Sequence, residues 1–433
     1  MFDNILHQNV ISQIKEDIEG GKLAPALLFA GPEFSGKGTS ALELARVISC
    51  EAAKAGKWNC SCPGCGRHRL LVSPDLLLLG SRRFFEEIAA ASRCCLGDPE
   101  NHATRLLFSR AVRKLLARFS PVLWEDEPKI KKISGLIADL EEDLEDFARS
   151  GLEKEKREKR CETILKNAAR LEAEGLGEQI PVSMIRRASY WSRLAPLGKH
   201  KCIIIENAER MQEGAKNSLL KILEEPPARV TIVLTSSRPG SLLPTVLSRL
   251  RLYQFAKRRA EAEAEVVRRI FREEYSLGIG SYLESFLPVG DSVLYPLGAW
   301  FAASTAAAAL RDLRRQKKTV PPPLVDMGKF AAPIAEQGGL GRPASLSGEM
   351  IARIVKTCDG FQIPHVTRLF FKNCYALVSA WLRSGAPSPE KTACAELWRT
   401  ELDKSAAGWD TYNISPVMIL EGLAESLVKG MAR

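Results

Sequence analysis

The sequence predicts an α/β fold, a parallel sheet covered by helices on both faces, followed by an all-helical C-terminal third. Three observations carry this. Short apolar runs at Ala26 to Ala30, Leu76 to Leu79, Cys202 to Ile205 and Val230 to Leu234 are separated by helical patterns, as expected of buried parallel strands. A glycine-rich stretch stands between the first run and a helix. After Phe255 the strand signals stop and helical patterns take over.

Taken in order, residues 10 to 22 read as a short amphipathic helix, and ALLFA at Ala26 to Ala30 as the first strand. GPEFSGKG follows, from Gly31 to Gly38. It has the form glycine, four residues, glycine, lysine. Backbone N–H groups in such a loop make an anion-binding nest at a helix N-terminus. Gly31, Gly36 and Lys37 are the candidate phosphate contacts. The next position ordinarily carries Ser or Thr, whose hydroxyl holds magnesium; here it is Gly38, and Thr39 stands about 100° further round the helix. The third run ends in KCIIIENAERM, where a Walker B motif has its acidic pair. The positions read Glu206 and Asn207. A neutral amide cannot act as a general base, and Glu206 reads as a strand-end acid without a metal. The parts serving metal and water chemistry fail while the phosphate cradle survives. The expectation is a fold kept for shape, with ATP or ADP binding optional.

Eleven cysteines are present. Cys50, Cys60, Cys62 and Cys65 are separated by nine, one and two residues, and four thiolates so close together suit a tetrahedral zinc site. Pro63-Gly64 supplies a turn, and His68 stays open as a substitute ligand. Four cysteine ligands leave no open coordination position, so a structural role is expected. The other seven are Cys94, Cys95, Cys161, Cys202, Cys358, Cys374 and Cys394. They read as buried thiols, and the odd count argues against a disulfide framework.

About a hundred residues separate the second and third runs. Leu106, Leu107, Val112, Leu115, Leu116 and Phe119 make one helical stripe. Ile133, Leu136, Leu140, Leu144 and Phe147 make another, and Ile164, Leu165, Ala168 and Leu171 a third. Residues 101–180 hold 16 Lys or Arg against 16 Asp or Glu. A neutral, charge-laced insertion over about 81–178 reads as a solvated arm or hairpin, with partner binding as the alternative.

Residues 258–315 read as helical, Lys317 to Gly348 as a linker rich in Pro and Gly, and Met350 onward as helical, with breaks near Gly385 to Pro387 and Asn413 to Pro416. The net charge of +10 is compatible with nucleic acid or an acidic partner and demands neither. No run of eighteen apolar residues occurs and the first twenty residues lack a signal-peptide core, so a cytoplasmic protein without membrane spans is expected.

The stretch NSLLKILEEPPARVTIVLTSSRPGSLLPTVLSRLRLYQF resembles the ATPase-fold, AAA+ subunits of the bacterial DNA polymerase III clamp loader. LLKILEEPP, the strand ending at Thr235, and LPTVLSR carry the likeness. The phosphate loop, the cysteine group after the first helix and the C-terminal YNISPVMILEGL add to it. Residues 1–80 and 180–257 resemble the family well. The resemblance implies an AAA+ domain over 1–257 with a zinc knuckle at 50–65, a helical lid over 258–320 and a collar for oligomerisation over 345–433. It implies a subunit that helps load the sliding clamp onto primed DNA. The implied partners are gamma/tau motor subunits, a delta subunit, the sliding clamp and, through the complex, primer–template DNA. Ser248 and Arg249 match the family's Ser-Arg-Cys motif, with Leu250 in place of its cysteine. Arg249 is thereby implied as an arginine finger acting on a neighbour's ATP, and Thr235 falls at the polar sensor position. The degenerate loop fits members that hydrolyse nothing. The alternatives are an ATP-hydrolysing gamma/tau-type motor, another AAA+ remodeller, or an adaptor whose insertion recruits a partner. Two departures stand out: the cysteine spacing is one residue shorter than in the family, and the insertion is not a usual feature of it.

Overall fold

A computed structural model describes residues 1–431 except 53–55, 81, 126, 149–152, 178, 288, 342–347, 358–362, 387 and 413–414. The chain divides into two compact units, Met1–Phe286 and Leu287–Arg433.

Among the described residues, the first unit has five strands: β1 (Ala26–Ala30), β2 (Leu76–Leu79), β3 (Lys201–Ile205), β4 (Val230–Ser236) and β5 (Arg251–Gln254). Their order is β2-β3-β4-β1-β5 and every pairing is parallel. The four apolar runs of the sequence become β1 to β4. The fifth strand, RLYQ, buries only Tyr253. Its other three side chains are exposed, so it carries no apolar run to find.

Side chains alternate between the two faces of a strand, and each face has its own core. On one face Leu27, Phe29, Leu78, Ile204 and Val233 pack with α1 (Val10–Glu19) and α2 (Lys37–Ile48) through Ile14, Ala41, Leu44 and Ala45. Leu28, Ala30, Leu77, Ile203, Ile232 and Leu234 belong to the other face. The segment between β2 and β3 covers that face. With α3 (Pro63–Arg69) lying ahead of β2, it contains α4 (Phe85–Gly97), α5 (His102–Leu116), α6 (Pro121–Trp124), α7 (Pro128–Ala148), α8 (Lys154–Gly175) and α9 (Val182–Arg193). Phe84, Phe108, Val112, Leu115, Leu140, Leu144, Phe147, Ile164 and Leu171 share one core with the strands. This corrects the expectation of a solvated arm. Each large apolar side chain fully buried is worth roughly 1.5–3 kcal/mol, so this many make a covering layer. Many of the charges lie on its outer surface, as in Lys154 with Glu158 and Arg170 with Glu174, while Arg118, Asp143 and Glu172 are buried.

After β3 come α10 (Glu213–Glu224) and α11 (Pro244–Leu247), which flank β4 and precede β5. Next, α12 (Ala260–Phe271) and α13 (Ile279–Glu284) bury Val266, Val267, Phe271, Ile279 and Tyr282 together with Ala90 of α4. The division after Phe286 therefore falls inside the 258–320 segment expected to be one lid.

Among its described residues the second unit has only helices as regular elements: α14 (Asp291–Arg315), α15 (Pro322–Gln337), α16 (Gly348–Thr357), α17 (Ile363–Arg383), α18 (Pro389–Tyr412) and α19 (Pro416–Met431). Phe301, Phe370, Trp381, Trp398, Leu420 and Leu427 lie in its core. By length and composition alone α14 could cross a membrane, but most of its apolar window is buried within the unit. The expected linker is overturned in part. Pro321 to Pro323 start α15, since proline is suited to a first helical turn that needs no N–H partner. Cys358, Pro387 and Asn413 lie outside the described residues.

Candidate functional site

Because all five strands run the same way, their C-terminal ends share one edge, the usual place for a ligand in such sheets. The phosphate loop leaves β1 there. Gly31 has φ 151°, and a Cβ on it would overlap the carbonyl oxygen of Phe255. Gly36, at φ 96°, turns the chain into α2. Lys37 Nζ donates to the loop's own carbonyls, Gly31 O at 2.6 Å and Pro32 O at 2.5 Å. Burial brings the Lys37 amine down to about 8, against the opposing pull of Glu209, Glu33 and Glu206. Arg258 holds the loop tip by donating to Phe34 O and, at 3.1 Å, to Leu6 O. Thr39 is exposed, so its hydroxyl does not replace the one missing at Gly38.

The third strand brings Glu206 and Asn207 to the same edge. A Cβ at Gly38 would overlap Glu206 Oε1, so the two predicted positions meet directly. The other oxygen, Oε2, accepts from Arg118 and lies 3.3 Å from Arg82 Nε. Burial alone would raise the Glu206 carboxyl, but Arg118 and then Arg82 hold it below the ordinary carboxylate range. The magnesium that such a loop ordinarily holds has no fit here: one ligand hydroxyl is missing and the acid is already paired with guanidinium. Asn207 adopts a left-handed backbone at φ 52°. Its N–H donates to Thr235 Oγ1 at 3.3 Å, which gives the buried Thr235 a structural bond.

The cysteine group sits at the other end of the sheet. From the loop, α2 runs back to the strand starts, and Ser49 Oγ at its end bonds His200 O, next to the first residue of β3. The four Sγ atoms of Cys50, Cys60, Cys62 and Cys65 lie within 4.8 Å of one another. Cys50 is 3.7 Å from Cys60 and 3.9 Å from Cys62. A zinc–sulfur bond of about 2.3 Å places tetrahedral thiolates about 3.8 Å apart, so the cluster can chelate a metal as it stands. Burial works to raise the Cys62 thiol, but the N–H groups of Cys65 and Glu51 outweigh it and bring it down to about 6. Burial pushes the Cys65 thiol up. Arg46, 2% exposed, donates to Cys65 Sγ at 3.1 Å and to Glu43, and so sets a positive charge beside the thiols. His68 lies outside the metal-capable group and is buried, which lowers its pKa to about 4.

Ser248 and Arg249 follow α11 and precede β5. Arg249 donates to Thr245 O at 2.7 Å and pairs with Glu224 at 2.8 Å. Ser248 Oγ bonds Thr245 O. The register sets Arg251 beside Leu27 and Gln254 beside Ala30, so Arg249 stands at the start of the strands while Gly31 stands past their ends. Three residue steps at ~3.3 Å each, with the flanking residues added, separate the two by well over about 10 Å.

Sequence reasoning missed Arg118, Arg82, Arg258 and Glu224. Glu224 alone had a signal, since it lies in the LLKILEEPP block.

A family model described as DNA polymerase III, delta subunit, matches residues 6–120 and 141–259. The chain is 40% identical over 80 residues to the DNA polymerase III delta' subunit of Pseudomonas aeruginosa, covering 18% of this chain and 24% of that protein. With the Escherichia coli delta' subunit it shares 42% over 62 residues, 14% of this chain and 19% of that one. The gamma/tau subunit of Mycobacterium bovis is 28% identical over 99 residues, 23% of this chain and 15% of that one. The matches thus span about a quarter or less of these curated relatives. With more than half of its residues matched by that model, the chain belongs to the DNA polymerase III delta subunit family, in the clamp-loader group of delta' and gamma/tau subunits.

Proposed function

We propose that this chain is a non-hydrolysing, delta'-type subunit of a bacterial DNA polymerase III clamp loader. In this reading it helps load the sliding clamp onto primed DNA and donates Arg249 to the ATP of a neighbouring gamma/tau motor subunit. The observation that carries the reading is the position of Arg249. It stands at the opposite end of the sheet from its own phosphate loop, so only a nucleotide on another subunit can reach it. An arginine supplied in trans stabilises charge on the transferring phosphoryl group and is worth about 10³–10⁵ in rate. Its fork also suits phosphate oxygens. Ser248 orients the turn that presents it. Gly31, Gly36, Lys37, Gly38, Thr39, Glu206, Asn207 and Thr235 then keep the shape of a nucleotide fold, with ATP or ADP not required. Cys50, Cys60, Cys62 and Cys65 hold structural zinc. The helices of 345–433 form the oligomerisation collar, a delta subunit completes the ring, and the complex works in the cytoplasm.

The test is a reconstituted complex carrying Arg249→Ala. ATP turnover at the adjoining motor site should fall about 10³-fold, while the isolated chain hydrolyses nothing. Unchanged turnover would remove the assignment. Similarity to a gamma/tau subunit favours a second reading, a motor in its own right. Hydrolysis by the isolated chain that Lys37→Ala abolishes would establish that reading instead.

A further inference from the structure

The segment between β2 and β3 does more than cover the sheet: it places charge at the phosphate loop. Arg118 is 3% exposed and pairs with Glu206 Oε2, while its other nitrogen donates to Leu79 O at 2.8 Å. Trp124 Nε1 bonds Arg118 O at 2.7 Å. Arg82 lies against the same oxygen and donates to Glu87 at 2.7 Å. Lys114 also pairs with Glu87. The Phe84 ring lies 5.4 Å from one guanidinium and 4.9 Å from the other. Three cations, Arg82, Lys114 and Arg118, thus surround Glu87 and Glu206 in a half-buried to buried cluster, with Glu172 also acting on Arg82. A divalent ion entering beside Glu206 would meet the two guanidiniums already paired with it at short range, where a partly buried setting screens little.

We infer that Arg118 and Arg82 take the place of the divalent cation at this loop and exclude it. The two guanidiniums neutralise Glu206 from inside the chain, and Gly38 is bare because the longer carboxylate occupies the space of its side chain. The inference shares the loop with the proposed function but does not involve Arg249. Its test reads metal binding by the isolated chain, so it can fail while the Arg249→Ala result stands, and the reverse.

The experiment titrates Mn(II) with ADP onto the full chain and follows free Mn(II) by electron paramagnetic resonance. The wild type should add no site beyond Mn(II)–ADP in solution. Arg82→Met with Arg118→Met should create one, tightening Mn(II) retention at least about tenfold. Mn(II) bound by the wild type would overturn the inference, as would a folded double variant that gains no site. Should that variant not fold, Gly38→Ser with Glu206→Asp decides. It restores a hydroxyl and shortens the acid while keeping both arginines. Continued exclusion supports their role, whereas a new Mn(II) site with both arginines present places the exclusion on Gly38 and the length of Glu206, and overturns it.

Discussion

At the C-terminal ends of the strands, charge is consumed inside the chain. Lys37 is bonded to the carbonyls of its own loop, and Glu206 to Arg118. At the strand starts, some charged groups and thiols stay accessible. Arg249 is 35% exposed, its partner Glu224 is 49% exposed, and Cys60 and Cys62 reach partial exposure. The two ends belong to one rigid sheet, so the contrast comes from side chains and not from backbone. The edge where a nucleotide fold normally does its chemistry has become self-satisfied, and the opposite edge keeps groups that can act on something outside.

The contrast can be broken or sharpened by experiment. The largest effect is expected at the cysteines. The purified chain should carry one zinc, and Cys62→Ser with Cys65→Ser should abolish it. Stability should fall by several kcal/mol, on the scale of roughly 10 kcal/mol seen in small zinc modules. Metal analysis and denaturant unfolding read both outcomes. An unchanged unfolding midpoint on metal removal would mean that the strand-start edge carries no structural centre.

A middle-sized effect is expected at Lys37. Its folded pKa of about 8 lies below its ordinary 10.5, so between those values the unfolded chain binds more protons than the folded one. Stability relative to Lys37→Met should therefore rise with pH across that window. The rise should be roughly 1–2 kcal/mol, taking 1.36 kcal/mol per pKa unit and discounting for solvent screening. Paired unfolding curves at pH 7.5 and 10 check it. A flat difference would show that the amine is not withdrawn into its loop.

The smallest effect belongs to Glu224→Gln. A half-exposed ion pair contributes about 1 kcal/mol or less, so stability should barely move and the change should fade in high salt. A loss above about 2 kcal/mol would put this pair on the same footing as the buried one at Glu206, and the two ends would no longer differ in kind.

Four strands, the loop and the cysteine group were legible because each is written in neighbouring residues. Continuous apolar runs mark β1 to β4, fixed glycine spacing marks the loop, and Cys50 to Cys65 span one short segment. The β5 strand was not legible, because one buried tyrosine makes no pattern. Arg118 was not legible because it meets Glu206 from 88 positions away, inside a stretch whose charge balance suggests water on all sides. The apolar stripes there recorded that the helices are amphipathic without saying which surface they bury against. Pro321 to Pro323 read as a break because proline ends helices as readily as it starts them.

Leu28, Ala30, Leu77, Ile203, Ile232 and Leu234 have their shelter from helices that interrupt the motif sequence. Excising 85–175 to recover a shorter, more ordinary version of the domain would leave that side of the sheet wet, and the product would report precipitation in place of function. Trimming toward a minimal piece is better begun beyond Phe286, where a cut leaves the cores on both sides of the sheet whole.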